Sequence, residues 1–343
     1  MSIGVGIVGY GKVAATQHRN WLAQRQDATL VAVSDITPLR REAAAADNPD
    51  ARIYSDYSEM LADPAVDLVV ITTPPNSHRE LAVAAARAGK HVFVDKPFAM
   101  TLAEAESMLE AAARAGVTMQ CNQTRRYDSE YQAIRDAVQS GRIGRVRHVR
   151  RVWSQFGPVW ANWGIEGFNP SWRIQREFGG GMVYDYAPHC GDQLLRLIDR
   201  PLRRLMADTQ SMKFSEEVDD HFSCFMRFDD GATAYLESSN MARLPAPHWY
   251  VIGTKGTILA EKINSPILLQ SDDMEAPEEL PPVQRMAEFR DNIIAACRGE
   301  AAPLVTPEQL RQGMGLIDAI FQSAASGKCV ELQRSSASNR PDQ

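Results

Sequence analysis

Gly9-Tyr10-Gly11-Lys12-Val13-Ala14 is the first run in this 343-residue chain whose spacing implies chemistry. The G-x-G-x-x-A pattern lies between an apolar run, Ile3 to Val8, and a helical pattern that starts near Val13. Gly9 permits a tight turn, and Gly11 lets the backbone approach a pyrophosphate at the helix N-terminus. Ala14 keeps helix and strand close. Asp35 ends the next strand, where a carboxylate accepts hydrogen bonds from ribose hydroxyls and repels a 2′-phosphate. These residues predict a bound dinucleotide, NAD, with NADP left open by the nearby Arg40 and Arg41. Asp35 also reads as an N-cap ahead of Pro38, and both roles can hold at once.

Three later segments add reactive groups. Thr72-Thr73-Pro74-Pro75-Asn76-Ser77-His78 follows the third long strand, and Asp95-Lys96-Pro97 follows the next. Both are expected at the carboxyl edge of the sheet. Thr72, Thr73, Pro74, Asn76, His78, Asp95, Lys96, Pro97 and Asn122 are accordingly expected cofactor contacts. The third segment is Gly179-Gly180-Gly181-Met182-Val183-Tyr184-Asp185-Tyr186-Ala187-Pro188-His189-Cys190-Gly191-Asp192. Oxidising an alcohol needs a hydride acceptor and a base for the hydroxyl proton. Histidine suits that work near neutral pH, which makes His189 the candidate base. Asp185, four residues earlier, would orient the imidazole or hold a substrate hydroxyl. Lys96 would stabilise negative charge on the reacting oxygen. The plain structural alternatives are a core role for His189, an N-cap role for Asp185, and support of His189 or a cap for Asp192. No metal is expected, although Asp185, His189 and Asp192 are residue types that suit zinc. Arg126, Tyr127, Trp160 and Trp163 are candidate substrate contacts, because aromatics stack on ring faces and planar arginine recognises carboxylates.

The elements that must position these groups read in two blocks. Up to residue 123 strands and helices alternate, which forces a doubly wound parallel sheet with right-handed crossovers. Capping boxes are expected at Ser77-x-x-Glu80 and Thr101-x-x-Glu104. The second block, 124–334, opens with a helix over 127–140, after which strands follow one another without helices between them, at 145–156, 202–212, 221–228, 232–239 and 249–253. That pattern predicts an α+β domain on a large, mostly antiparallel sheet. Two helices, near 285–297 and 307–326, close that domain, and 335–343 is a polar tail. Composition is that of an ordinary globular protein, with 44% hydrophobic and 23% charged residues. A net charge of −6 argues against a nucleic-acid partner. No apolar run reaches membrane-spanning length, and no signal-peptide pattern precedes Ile3. The five scattered cysteines form no C-x-x-C pair, so they are expected as reduced thiols in a cytoplasmic protein.

The combination of Gly9–Ala14, Lys96-Pro97 and the Gly-Gly-Gly…Asp…His…Asp run resembles the glucose–fructose oxidoreductase, inositol dehydrogenase and rhizopine-catabolism (Gfo/Idh/MocA) family over nearly the whole chain. The segments Val94–Phe98, Asn122–Asp128 and Tyr184–His189 look most like members acting on scyllo-inositol. Asp95 departs from the family's usual Glu-Lys-Pro. The resemblance implies an N-terminal Rossmann domain and an NAD(P)-dependent dehydrogenase acting on a CHOH group of a cyclitol or sugar. It also implies that Lys96 contacts both substrate and cofactor, that a Trp-Arg pair such as Trp172-Arg173 reaches the pocket, and that the open sheet makes a homodimer or homotetramer. Some relatives cleave glycosidic bonds through transient sugar oxidation. A non-catalytic sensor is the remaining alternative, set against the retention of Lys96, Asp185 and His189.

Overall fold

The structure is a computed structural model that describes residues 2–157, 168–169, 171–263 and 265–332. Trp160, Trp163 and the polar tail lie outside the described residues. The chain packs as two compact units, one from 1–124, 158–184 and 286–315, the other from 125–157, 185–285 and 316–343.

The first unit is built on β1 (Ile3–Val8), β2 (Ala28–Ser34), β3 (Arg52–Tyr54), β4 (Leu68–Ile71), β5 (His91–Val94) and β6 (Met119–Cys121). Their order is β3-β2-β1-β4-β5-β6, and every pairing is parallel. All four residues of β4 are buried, as are five of the six in β1. Burial on both faces is why these strands read as unbroken apolar runs. The order reverses between β1 and β4, the place where open α/β sheets bind ligands beyond the strand ends. Gly9 follows β1 and Thr72 follows β4, so both loops lie at that point.

Local signals were obeyed unevenly. The helix Leu102–Ala115 is capped by Thr101, which accepts from the Glu104 N–H, and stops at Gly116 with φ 68°. Glu104 does not close the box; its Oε2 accepts from Met100 N–H. Ser77 makes no cap for the helix His78–Arg87. Its hydroxyl is spent on Thr73 and the Pro74 carbonyl, because two prolines have already turned the chain there. The helix Met286–Cys297 was expected in the second domain but packs in the first unit. Phe289 meets Phe93 at 6.1 Å, Thr118 donates to the Ala296 carbonyl, and Arg298 donates to the Asp27 carbonyl.

The second unit holds β7 (Val146–Ser154), β8 (Leu202–Gln210), β9 (His221–Phe228), β10 (Thr233–Ser239), β11 (Trp249–Gly253), β12 (Gly256–Ala260), β13 (Ile267–Ser271), β14 (Glu278–Leu280) and β15 (Val330–Glu331). They form one sheet in the order β14-β13-β12-β11-β7-β10-β9-β8-β15. All pairings are antiparallel except β7 with β10. Helices cover one face: Tyr131 on Ser129–Gln139 lies 5.7 Å from Trp249, and Ser323 accepts from the Ala207 N–H. The other face carries a cross-strand row of Met206, Phe225, Tyr235, Arg150, Tyr250, Leu259 and Leu268. Met206, Phe225 and Tyr250 are exposed. Among the described residues no helix is long and apolar enough to cross a membrane.

Candidate active site

The glycine loop is a cradle by construction. Gly9 has φ +87°, and a Cβ there would sit 2.7 Å from the Thr73 methyl, so only glycine fits. At Gly11 a Cβ would meet nothing nearer than Arg40 Nη1 at 3.7 Å, which leaves that side of the backbone open. Thr72 Oγ1 donates to the Gly9 carbonyl at 2.5 Å and locks the turn to β4. Asp35 holds it from the other side, with Oδ2 accepting from Tyr10 N–H at 2.7 Å and Oδ1 from Thr37 N–H at 2.8 Å. Asp35 thus braces the loop, and each oxygen keeps a second lone pair for a ribose hydroxyl. Tyr10 contributes its backbone; its ring is buried and its hydroxyl donates to Asp47, with burial pushing its pKa up to about 12. Lys12 is exposed and Val13 half-buried, while Ala14 is buried and opens a wide π-turn, Ala14–His18.

The second and third loops meet the first at the same sheet edge. Asp95 N–H donates to the Ile71 carbonyl, which carries Lys96 outward from β5, and the Lys96–Pro97 bond is cis. Lys96 and Asp95 are half-buried, and Pro97 is buried. His78 is buried, with Nδ1 2.9 Å from the Pro97 carbonyl and Nε2 2.9 Å from the Thr73 carbonyl. Expected as a cofactor contact, it cross-links the two loops instead. Asp95 Oδ1 accepts from Asn122 Nδ2 at 2.8 Å and lies 3.1 Å from His18 Nε2. Asp95 and Asn122 thus tie the ends of β5 and β6 together next to Lys96 in the chain. Asn76 is exposed on the turn Pro75–Ser77, and Thr73 and Pro74 are half-buried beside it.

The glycine run belongs to the same unit. Gly179 has φ +76°, and a Cβ on it would strike Met100 Sδ at 2.5 Å. Tyr184 donates to the Met100 carbonyl at 2.8 Å. The Arg173 guanidinium lies 4.1 Å over the Trp172 ring. Arg40, whose Nη1 faces Gly11, also lies 5.4 Å over Phe168.

In the second unit, Asp185 sits inside the helix Met182–Tyr186 and not at its N-cap, because the helical stretch begins earlier than Pro188. His189 is 9% exposed in a second π-turn, Ala187–Gly191. Asp192 was expected to support His189 or cap a helix. It makes a buried two-pronged pair with Arg126, both bonds 2.6 Å, which uses the Arg126 fork for packing rather than for substrate. The neighbouring Arg125 is half-buried. Its guanidinium lies 4.4 Å over Trp153, and Trp153 lies 5.1 Å from Tyr186, next to Asp185. Gln155 donates to Asn240 at 3.0 Å and toward the Tyr186 hydroxyl at 3.5 Å. Arg125, Trp153, Gln155 and Asn240 went unread because the parallel pairing of β7 with β10 unites residues 85 apart. Tyr127 is half-buried in the turn Thr124–Tyr127.

Comparison with known proteins decides the family. Residues 3–123 match the model of the oxidoreductase family with an NAD-binding Rossmann fold, and residues 131–259 match the GFO/IDH/MocA C-terminal domain. The chain belongs to the Gfo/Idh/MocA oxidoreductases. It is 29% identical to 1,5-anhydro-D-fructose reductase of Ensifer adhaerens over 96% of this chain and 98% of that one. It is also 29% identical to the NADP(+)-named scyllo-inositol 2-dehydrogenase of Bacillus subtilis, over 75% and 68%. The WlbA dehydrogenase of Bordetella pertussis, solved with NADH and UDP-GlcNAcA, superposes with TM-score 0.84 at 26% identity, over 98% of this chain and all of that one. The protein is an NAD-dependent oxidoreductase. The cradle fits that cofactor: the open side of Gly11 would leave room for a pyrophosphate, and Asp35 would have lone pairs left for ribose hydroxyls.

Proposed function

We propose that the protein transfers a hydride between NAD and a CHOH group of a cyclitol or sugar. The observation that carries this reading is Lys96. It leaves β5 at the carboxyl edge of the sheet whose switch point holds Gly9 and Thr72. NAD held by residues 9–14, Asp35, Thr72, Thr73, Pro74, Asn76 and Pro97 supplies the hydride acceptor or donor. Lys96 stabilises negative charge on the substrate oxygen. His189 takes the hydroxyl proton during oxidation and returns it during reduction, and Asp185 orients the imidazole or holds an adjacent hydroxyl. Trp172 and Arg173 in the first unit, and Tyr127, Arg125 and Trp153 in the second, are the candidates for substrate recognition. The names of the relatives support a ring bearing several hydroxyls, since they cite an anhydrosugar, a cyclitol and a sugar nucleotide. The test is a panel of cyclitols, aldoses and uronates with NAD and NADP, followed by absorbance of the reduced nicotinamide. Reduction of NAD by at least one member, in step with its oxidation, is expected. Product release without net NADH would replace the reading with that of a glycosidase.

The open face of the nine-stranded sheet is the proposed contact for a homodimer or homotetramer. Its exposed Met206, Phe225 and Tyr250 lie in one row with Tyr235 and Arg150. Aligned exposed apolar side chains of this kind mark association surfaces.

A further inference from the structure

We propose that His18 is a positioning residue for Lys96, acting through the carboxylate of Asp95; the proposal rests on the reading of Lys96 given above. His18 closes the π-turn Ala14–His18, a local departure from α-helical geometry of a kind frequent at functional sites. Its Nε2 lies 3.1 Å from Asp95 Oδ1, the oxygen that also accepts from Asn122. Three segments, the end of the cofactor helix's first turn, the end of β5 and the end of β6, thus converge on one oxygen beside Lys96. The imidazole is held on its other sides by ring edges, Phe93 at 5.9 Å and 84° and Trp21 at 6.4 Å and 67°. It is buried and belongs to none of the expected cofactor contacts. Asp95 is one methylene shorter than the glutamate usual in the family, and His18 and Asn122 both reach it. Burial pushes the Asp95 carboxyl up, but His18, its hydrogen bond from Asn122 and the nearby His78 together hold it below its ordinary range.

A side chain that fixes a loop without touching substrate should show up as misaligned chemistry, which costs about tenfold to a hundredfold in rate for small displacements. The experiment compares wild type with His18→Gln, which keeps an N–H donor, and His18→Leu, which does not. Two quantities are read: the rate at which an amine-reactive acylating reagent labels Lys96, by peptide mass spectrometry, and the split between kcat and KM. The expected result is a changed Lys96 labelling rate and a lowered kcat with little change in substrate KM for His18→Leu, both restored toward wild type in His18→Gln. Wild-type labelling and kcat in a folded His18→Leu protein would overturn the proposal. If the leucine variant does not fold, His18→Asn, polar but too short to reach Asp95, is judged by the same two readouts. If no panel substrate is turned over by wild type, the catalytic reading fails, and the labelling arm still decides the His18 proposal.

Discussion

Two histidines, His18 and His78, close on the chain either side of Lys96. Their surroundings leave two groups, Asp95 and His78, with pH signatures of the same sign, each favouring the folded state as pH rises. The Asp95 carboxyl is held low in the folded protein, so its stabilising contribution is complete above the ordinary carboxylate value of about 4 and is lost as pH falls through the lowered one. Urea unfolding across acid pH should therefore show Asp95→Asn less stable than wild type near neutrality, with the gap closing in acid. A gap independent of pH would refute the ionised state of Asp95. Burial drives the His78 imidazole below its usual range, so the unfolded chain binds that proton more readily. Stability should fall as pH drops below about 6.5, the imidazole's ordinary value, and His78→Asn should flatten that limb. Asp35 predicts cofactor choice: NAD should bind more tightly than NADP by calorimetry, and Asp35→Ser should narrow the gap while weakening NAD, since it also frees Tyr10 N–H. Lys96, Asp185 and His189 are proposed from residue type, spacing and the family resemblance. Arg125 was not legible in the sequence, because only the packed strand β7 reveals that Trp153 lies beneath it while Arg126 turns inward to Asp192.

Elements place these side chains through backbone geometry that single residues encode. Gly9→Ala forces φ +87° on a side chain that has no room, whereas Gly89→Ala imposes φ +75° in open space. The first should abolish measurable NAD binding and lower Tm. The second should cost about 1 kcal/mol of strain and leave NAD affinity unchanged. Equal effects would mean that the loop is not the cradle. Strand–helix alternation and the Thr101 cap were readable, because each depends on neighbours in sequence. The strands β3 and β12–β15 were missed: they are short or polar, and sheet pairing, not their own pattern, makes them strands. The π-turn at Ala14–His18 has no sequence signature.

The chain as a whole carries its dinucleotide sheet and its large mixed sheet as two packed units, and the return of residues 286–315 to the first is the part the sequence hid. A helix's periodicity says that it has a buried face, not which surface covers it, and Phe289 finds Phe93 only in three dimensions. The open face of the second sheet makes a prediction at this scale. Phe225→Asp puts a charge in the middle of the exposed row, and light scattering should show the assembly reduced to monomers with the fold intact. An unchanged mass would move the interface elsewhere. The central claim, hydride transfer at a site containing Lys96, is tested most directly by kcat/KM of Lys96→Ala with the best panel substrate. The account predicts a loss of about a hundredfold or more in a folded protein that still binds NAD. Full turnover by Lys96→Ala would contradict it.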